Sequence, residues 1–195
     1  PLSSSAASDV YKRQGVVILG LFVHMGITYM TLLKIFTTMD IKHFLKSMAP
    51  VQLLGFSTSS SGATLPVTMK RCEKDLGISE EISSFVLPLG ATINMDGTAL
   101  YQGVAAVFIA QAVGMDLTLA NQFTIVATAV LASIGTAAVP GAGIIMLIII
   151  LEAINVPSEG IALILGVDRI LDMIRTATNV TGDATVASVM DSLER

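Results

Sequence analysis

The sequence contains no tryptophan, one cysteine and two histidines among its 195 residues. A single cysteine, Cys72, excludes an internal disulfide and any zinc site built from cysteines. Charged residues make up 13% of the chain, about half of the share found in soluble proteins. The net charge of −4 gives no basic surface for a nucleic-acid backbone. These deficits argue against a nucleic-acid-binding protein and against a polar soluble enzyme.

Apolar sequence, by contrast, is abundant. The residues AVILMFWYC account for 53% of the chain before its 16 glycines are counted, and the mean hydropathy is +0.76. Residues 15–36 form an apolar run long enough to cross about 30 Å of hydrocarbon as a helix. The run contains His24, which we interpret as a packed, hydrogen-bonded residue rather than a ligand or a proton relay. The chain is therefore predicted to be part of a membrane protein.

The ends of the chain differ from this apolar body. Residues 1–14 have no apolar period, and their basic pair Lys12-Arg13 follows the Ser/Ala stretch, in the reverse of the order found in a signal peptide. They are predicted to be a disordered or non-native head, so that the fold begins at residue 15. Residues 191–195 form a short tail. The lysines that follow the first apolar run indicate that this end faces the cytoplasm; they are Lys34, Lys42 and Lys46.

The second apolar segment, residues 47–69, is interrupted by TSSSG at 58–62 and then by Pro66. Exposed, unpaired backbone in lipid costs several kcal/mol per group, so such a break must be buried in protein or face water. The pattern predicts two half-helices that meet at a serine-rich tip. The charged linker at 70–84, which includes Cys72, is expected to lie in water.

Three further apolar segments follow. Residues 85–113 are broken by NMDGT near their middle, and residues 119–154 are too long for one crossing and contain SIGTAAVPGAG at their centre. The last segment, residues 161–190, is a helix with a polar face. Corresponding broken segments in two halves are the signature of an inverted repeat around a midplane binding site. The predicted fold is an all-α membrane protein with transmembrane helices and two re-entrant helical hairpins.

The last helix carries an unusual set of polar residues. At 100° per residue, six of them fall within an arc of about 100°: Asp168, Asp172, Arg175, Thr176, Asn179 and Asp183. Four ionised groups facing lipid would oppose insertion by roughly 10 kcal/mol, so they must face a polar interior. The stripe is either an ion-paired packing face or a substrate cradle, in which Arg175 holds a carboxylate and Asp172 an ammonium group.

Four motifs in this order resemble the sodium:dicarboxylate symporter family, which includes glutamate and aspartate transporters. They are SSSGATLP (59–66), GATINMDGTALY (90–101), ASIGTAAVPGAG (132–143) and DRILDMIRTATNVTGD (168–183). The resemblance implies that residues 15–190 are a fragment of the transport core and that the hairpins are its gates. It implies sodium-coupled symport of glutamate or aspartate across a plasma or inner membrane, with sodium as the coupling ion and no cofactor. It also implies that the full-length protein is a homotrimer.

The resemblance also implies a substrate site. Arg175 matches the arginine that holds the side-chain carboxylate, and Asp172 matches the residue that takes the amino group. The remaining substrate-binding residues implied are Ser60, Ser61, Thr98, Val139, Gly143, Thr176 and Asn179.

Three sodium sites are implied in the same way. The first uses Asp183 with oxygens of Gly90, Asn94 and Asn179, and the second uses carbonyls of Thr92, Ser133, Ile134 and Thr136 with Met95. The third involves Asp96 and Asn94. A hard cation needs several oxygen ligands, and broken helices present unpaired carbonyls toward it.

Two departures from the family pattern bear on function. Some members carry an arginine just before the serines of the first tip, where this chain has Thr58, while Arg169 stands in the last helix. Gln102 replaces a glutamate that is linked in some relatives to proton and potassium coupling, which favours sodium coupling without that proton. Proton coupling and a C4-dicarboxylate substrate are the alternatives within the family.

An intramembrane hydrolase and a functionless truncated product are the alternatives outside transport. An intramembrane hydrolase needs a nucleophile turn and a partnering histidine, but Ser61-Gly62 lacks the leading glycine and neither His24 nor His43 has an evident route to it. An aspartyl version needs two mutually perturbed aspartates, whereas Asp172 lies close to Arg175. The chain is thus predicted not to be an enzyme. A functionless truncated translation product is the remaining alternative.

Overall fold

The computed structural model describes residues 4–195, a part of the chain that contains helices and no β-strand. The helices are α1 (Ser4–Val23), α2 (Met30–Phe36), α3 (Ile41–Thr58), α4 (Ser61–Lys74), α5 (Glu80–Ile93), α6 (Asp96–Ala112), α7 (Leu119–Ile134), α8 (Ala142–Ala153) and α9 (Leu165–Glu194). A π-helical turn, His24–Tyr29, joins α1 to α2, and a 3₁₀ turn, Ser158–Leu163, precedes α9. The all-α fold class predicted from the sequence is confirmed.

The N-terminal segment differs from the prediction of a disordered head. Helix α1 begins at Ser4, so the described part of residues 1–14 is helical, and residues 1–3 lie outside the described residues. The apolar run at 15–36 is helical throughout, from α1 through the π-helical turn to the end of α2 at Phe36. The absence of an apolar period does not prevent residues such as Ser and Ala from extending a helix whose later turns are held by packing.

Helices α3 and α4 form the first helical hairpin. Asp40 caps α3 through a hydrogen bond from the backbone N–H of His43, and Ser60 caps α4 by accepting from the N–H of Ala63. Between the helices, Ser59 turns the chain with a left-handed φ of 52°. The hairpin runs from Ile41 to Lys74 and so exceeds the predicted 47–69 at both ends, because its charged terminal turns extend beyond the apolar part.

The segment from α5 to α6 is a helix interrupted at two residues. Ser79 caps α5, which ends at Ile93, and α6 begins at Asp96. Asn94 and Met95 between them are not helical. The break frees the carbonyls of the last turn of α5 and the N–H groups of the first turn of α6, and both sets need partners from elsewhere in the fold.

Helices α7 and α8 form the second hairpin. Helix α7 starts with a capping box in which Thr118 and Asn121 satisfy each other's backbone N–H groups. Its tip, residues 135–141, ends at Gly141, whose φ of 77° is accessible to glycine and strained for other residues. The tip leads directly into α8.

Helix α9 lies at the centre of the molecule, and most of the other helices pack against it. Its first half joins an apolar cluster with α1, α6, α7 and α8, and its second half joins another with α2, α3, α4 and α5. The two clusters leave the polar middle of α9 between them. The hairpin tips are therefore brought to the same part of α9.

The outer surface of this bundle is apolar. Phe85, Leu119, Phe123 and Leu131 are each 70% exposed, and many further large apolar side chains are exposed around the molecule. Within the described residues, Val10–Phe36 is the one helix long and apolar enough to cross a membrane by itself, with a mean hydropathy of 2.0. An exposed apolar surface of this extent needs lipid or protein to cover it.

The linker between α4 and α5 is held by the end of α9. The carboxylate of Asp191 accepts a hydrogen bond from the N–H of Ser79 at 2.8 Å and pairs with Arg195 at 2.8 Å.

Cys72, expected on the linker surface, is instead fully buried in α4, in the apolar cluster that the second half of α9 forms with α2, α3, α4 and α5. Helix α4 continues two residues beyond Cys72 and turns the thiol inward, and burial raises the pKa of that thiol to about 12.

The contacts of Asp191 lead to a pH-dependent prediction. Burial opposes the charged form, but the hydrogen bonds from Ser79 and the pairing with Arg195 outweigh it and lower the pKa of Asp191 below its usual value. A lowered pKa in the folded state stabilises the fold above pH 4, and this contribution is lost as the pH falls through the folded pKa. We expect Asp191→Asn to lower the melting temperature at pH 7 by about 2–4 °C, the shift for about 1 kcal/mol, and to lower it by less at pH 3.

Thermal unfolding of the two proteins at both pH values checks this expectation. Glu194→Gln is the control, since Glu194 is exposed on the same last turn of α9. An equal loss at pH 3 and pH 7 would assign the effect of Asp191→Asn to packing instead of charge.

Candidate functional site

The tips of the two hairpins meet directly. The carbonyl oxygen of Ala138 accepts hydrogen bonds from the Oγ of Ser60 at 2.7 Å and from the N–H of Gly62 at 3.2 Å. Below this junction lies a small polar cavity bounded by both tips, the start of α6 and the middle of α9. It is lined by Ser59, Ser61, Met95, Thr98, Thr136, Ala137, Ala138, Val139, Gly143, Asp172, Thr176 and Asn179.

This cavity is narrow in the structure. Its volume is about 20 Å³, which is space for one water molecule. A small organic ligand needs a site of roughly 300 Å³ or more. A ligand can therefore enter only if the hairpin tips separate from each other or from α9.

Arg175 is the largest fully buried side chain, with 1% of its surface exposed. One of its terminal nitrogens, Nη2, donates to Asp172 at 2.8 Å and lies 3.6 Å from Asp168. Its Cζ lies 3.8 Å from the centre of the Tyr101 ring, a cation–π contact. The positions i−3 and i−7 on one helix face bring both aspartates to the arginine.

The guanidinium also has unused donors. Nε and Nη1 of Arg175 are buried without a hydrogen-bond partner among the described residues. A buried, unpaired charged donor costs free energy, so these nitrogens would gain from a ligand that reaches the arginine from the neighbouring cavity. The backbone of Gly143 lies against Nη1, so the arginine is reached from the second hairpin.

Asp172 joins the last helix to the second tip. One carboxylate oxygen pairs with Arg175, and the other accepts a hydrogen bond from the N–H of Gly141 at 2.9 Å. Both oxygens are thus engaged by the protein. A cationic ligand group that binds Asp172 shares this carboxylate with the N–H of Gly141 or displaces it, and either change links ligand binding to the position of the second tip.

Asn179 joins the last helix to the break between α5 and α6. Its Oδ1 accepts from the N–H of Gly97 at 2.9 Å, and its Nδ2 donates to the Oγ1 of Thr98 at 3.1 Å. The hydroxyl of Thr176 donates to the carbonyl of Asp172 within α9 and still lines the cavity. These residues hold the start of α6 against α9.

The remaining substrate residues implied by the resemblance have different positions. Ser61 is buried and lines the cavity, whereas Ser60 caps α4 and binds the second tip. Val139 lines the cavity but is 56% exposed. Gly143 lies next to both Arg175 and Thr98.

The close approach of Gly143 predicts an effect of a single methyl group. A Cβ at this position would lie 3.1 Å from Nη1 of Arg175 and 3.1 Å from Cγ2 of Thr98. Overpacking of this kind costs about 1–3 kcal/mol, so we expect Gly143→Ala to weaken, about tenfold, binding of the acidic amino acid that the resemblance implies. Competition binding with a radiolabelled acidic amino acid measures the change.

Gly135→Ala is the matched control in the same hairpin, because a Cβ at Gly135 meets Met146 only at an ordinary 3.8 Å. Equal weakening by both substitutions would mean that general strain of the hairpin, rather than the contact with Arg175, causes the effect.

Asp183 forms the first of the implied sodium groups. It is buried, and its Oδ1 accepts one hydrogen bond from Nδ2 of Asn94 at 3.1 Å. A Cβ added to Gly90 would lie 2.7 Å from the same oxygen, so the backbone of α5 approaches this carboxylate closely. The structure brings Gly90, Asn94 and Asp183 together, while Asn179 lies one turn earlier and faces Gly97.

The second group lies at two helix ends. Thr92 is in the last turn of α5, and Ser133 and Ile134 end α7, where the carbonyl of Ser133 accepts from the N–H of Thr136 at 3.2 Å. Helices α5 and α7 contact each other, and Met95 and Thr136 line the same cavity. The donor set of carbonyls fits a hard cation such as sodium. Within residues 4–195 no cluster of three or more His, Cys, Asp and Glu can hold a metal.

Asp96 belongs to the third implied sodium site, but the side chains that contact it are not ones that the resemblance assigned to that site. Its carboxylate lies 2.6 Å from the hydroxyl of Tyr29 and 2.6 Å from Nε2 of His24. Asn94, the other member of this group, instead contacts Asp183.

The two departures from the family pattern have distinct environments. Gln102 is fully buried, and its Nε2 donates to the carbonyl of Gly143 at 3.0 Å. Arg169 is exposed on α9 and points away from the cavity.

Several site residues were missed by sequence reasoning. Ser59 lines the cavity, whereas the resemblance implied only its neighbours Ser60 and Ser61 as substrate-binding residues of this tip. Tyr101, which lies under Arg175, is one helical turn after Thr98, so the spacing of α6 contained a usable signal. Nothing in the sequence indicated that Ala138 or Gly141 would bind the other elements through their backbones.

Comparison with known proteins identifies the family of the chain. The family model of the sodium:dicarboxylate symporter family matches residues 4–193. The chain is 44% identical over 179 residues to excitatory amino acid transporter 4 of Mus musculus, covering 92% of this chain and 32% of the relative. It is 43% identical over 191 residues to excitatory amino acid transporter 3 of the same species, covering 96% and 36%.

Human excitatory amino acid transporter 1 is 42% identical over 179 residues, covering 92% of this chain and 33% of the relative. The chain thus spans about a third of the length of the curated relatives it matches.

Proposed function

Because the chain belongs to the sodium:dicarboxylate symporter family, we propose that it forms the substrate-binding part of a sodium-coupled symporter for glutamate and aspartate. The proposal is supported by the position of Asp172 and Arg175 against the second hairpin, where Asp172 accepts from the N–H of Gly141 and Gly143 lies beside Arg175. The free donors of Arg175 suit the side-chain carboxylate of an acidic amino acid. Asp172 suits its ammonium group.

In this proposal the hairpin tips act as gates. The substrate's ammonium group replaces the N–H of Gly141 on Asp172, while its carboxylate takes Nε and Nη1 of Arg175. The second tip then closes over the substrate instead of over Asp172. The contact of Ser60 with Ala138 joins the two gates, so the opening of one tip affects the other.

Sodium is the proposed coupling ion. The carboxylate of Asp183 and the carbonyls at the ends of α5 and α7 would supply its oxygen ligands. Asp183 lies on α9, which lines the cavity with Asp172, Thr176 and Asn179, and the end of α7 leads into the second tip, which lines it as well. Binding of the ion and of the substrate would therefore stabilise the same closed arrangement.

Two variants within the family remain as alternatives. A proton-coupled transporter would need a titrating group in the place of Gln102, whose amide is held by Gly143. A C4-dicarboxylate transporter would lack an ammonium partner for Asp172. Sodium coupling and an amino-acid substrate are favoured for these reasons.

The geometry gives no support to a hydrolase. His24 pairs with Asp96, and His43 contacts the backbone of Asp75, so neither histidine approaches the serines of the first tip. We propose that the chain is not an enzyme and uses no cofactor.

The family's members are membrane proteins, and we propose that this chain is a multi-pass protein of a plasma or inner membrane. The lysines at the base of the first hairpin support a cytoplasmic position for that end. The full-length protein is proposed to be a homotrimer.

Uptake of radiolabelled aspartate tests the proposal. The full-length protein that contains this chain is reconstituted in proteoliposomes and given a sodium gradient, then a proton gradient. Uptake with sodium alone supports the proposed function. Uptake with protons alone would contradict the sodium coupling, and uptake of succinate instead of aspartate would contradict the amino-acid substrate.

A further inference from the structure

A chain of polar side chains connects the spanning helix to Asp96. Nε2 of His24 lies 2.6 Å from one oxygen of Asp96, and Nδ1 of the same ring lies 3.2 Å from the hydroxyl of Thr28. The hydroxyl of Tyr29 donates to the Asp96 carboxylate at 2.6 Å. Two side chains from one helix therefore bind the same carboxylate, 72 and 67 residues further along the sequence.

The π-helical turn makes this double contact possible. In an α-helix, positions five residues apart point about 140° away from each other, since each residue adds about 100°. In a turn closed by i→i+5 hydrogen bonds they lie on the same side. His24 and Tyr29 are the first and last residues of that turn, and their rings pack edge to face with centroids 4.9 Å apart.

The second residue of the pair is fixed by the last helix. Tyr29 is 3% exposed, and a Cβ on Gly182 would lie 2.6 Å from its hydroxyl. Gly182 is next to Asp183, so the tyrosine lies between the two carboxylates implied in ion binding. The neighbouring N–H of Gly97 also donates to Asp96.

From this geometry we propose that His24 is a positioning residue for Asp96. A carboxylate only accepts hydrogen bonds, so Nε2 of His24 is the donor to Asp96, while Nδ1 pairs with the hydroxyl of Thr28. The orientation of Asp96 is then set by His24 and Tyr29 together, and with it the affinity of the ion site that Asp96 serves. The statement about ion affinity rests on the proposed function, whereas the pairing of His24 with Asp96 does not.

The first test is a double-mutant cycle in sodium-free choline buffer. The full-length protein carries His24→Leu, Asp96→Asn or both, and the melting temperature of each is measured by loss of the monodisperse peak on heating. We expect the two effects to be non-additive by about 2–4 °C, because the second substitution removes a partner that is already lost. Additive effects would overturn the pairing.

The second test measures the sodium concentration that gives half of the sodium-induced rise in melting temperature. We expect His24→Leu to raise it about 10- to 100-fold, as is typical when a residue that orients a ligand is removed. His24→Gln, which retains a donor near the position of Nε2, should recover most of the affinity. His43→Leu is the matched control, because His43 lies at the base of the first hairpin, away from Asp96.

An unchanged sodium midpoint in His24→Leu would overturn the positioning role. If sodium and choline give the same melting temperature in the unaltered protein, the proposed sodium coupling fails, and the double-mutant cycle alone decides whether His24 positions Asp96.

Discussion

Replacement of Arg175 by alanine is expected to reduce sodium-driven aspartate uptake at low substrate concentration by roughly 30- to 5,000-fold. Truncating one partner of a buried, hydrogen-bonded charge pair costs about 2–5 kcal/mol, and each 1.4 kcal/mol is tenfold in affinity. The guanidinium is fully buried, and its Nε and Nη1 have no hydrogen-bond partner among the described residues. Initial uptake rates in proteoliposomes measure the loss.

The same substitution leaves Asp168 and Asp172 without their cation, so folding must be measured separately. Sodium-induced thermal stabilisation serves for this, since the implied ion ligands lie outside the Arg175 contacts. Arg175→Lys should retain part of the affinity, because it keeps the charge without the planar pair of donors. Arg169→Ala is the control on the exposed face of the same helix. Full uptake by a folded Arg175→Ala protein would contradict the assignment of the substrate carboxylate to Arg175.

The substitution Asp183→Asn is expected to have opposite effects with and without sodium. In choline buffer it should raise the melting temperature, because a buried carboxylate with a single hydrogen bond from Asn94 becomes a neutral amide. In sodium it should abolish most of the ion-induced stabilisation. Loss of one partner of a buried ion pair costs about 3–5 kcal/mol, so we expect the sodium midpoint to rise about 100-fold or more.

Sodium titrations of the melting temperature check both effects in the same preparation. Asp116→Asn, in the exposed loop between α6 and α7, is the control and should change neither value. A normal sodium midpoint in Asp183→Asn would exclude this carboxylate from the ion site. A melting temperature that falls in choline would show that the charge of Asp183 stabilises the fold without any ion.

The polar face of α9 illustrates what can be predicted from local sequence. Residues three, four and seven apart share one face of any α-helix, so the proximity of Asp168, Asp172 and Arg175 follows from spacing alone. The breaks in the apolar segments were equally visible, because proline, glycine and runs of small polar residues interrupt helices wherever they occur. The all-α class followed from these two patterns.

The end of α4 was predicted less well, because its charged residues were interpreted as part of a linker. The charged residues at 70–74 suggested a linker in water, yet α4 continues through them to Lys74. Basic residues in the last turn of a helix are favourable there, since they face its unpaired carbonyls. For the same reason Cys72 was expected in a linker that lies in water, but its side chain is buried.

Contacts between distant segments required the folded structure. Asp172 binds the N–H of Gly141, Ser60 binds the carbonyl of Ala138, and His24 binds Asp96, across separations of 31 to 78 residues. The contacts of Gly141 and Ala138 use backbone groups, which are the same in every residue type and so cannot be predicted from residue identity. The π-helical turn that orients His24 toward Asp96 cannot be distinguished from an α-helix by the pattern of apolar residues. Spacing along the chain thus predicted which residues share a helix face, while the packing of the hairpins against α9 determined which faces meet, because that choice depends on the whole set of apolar surfaces buried together.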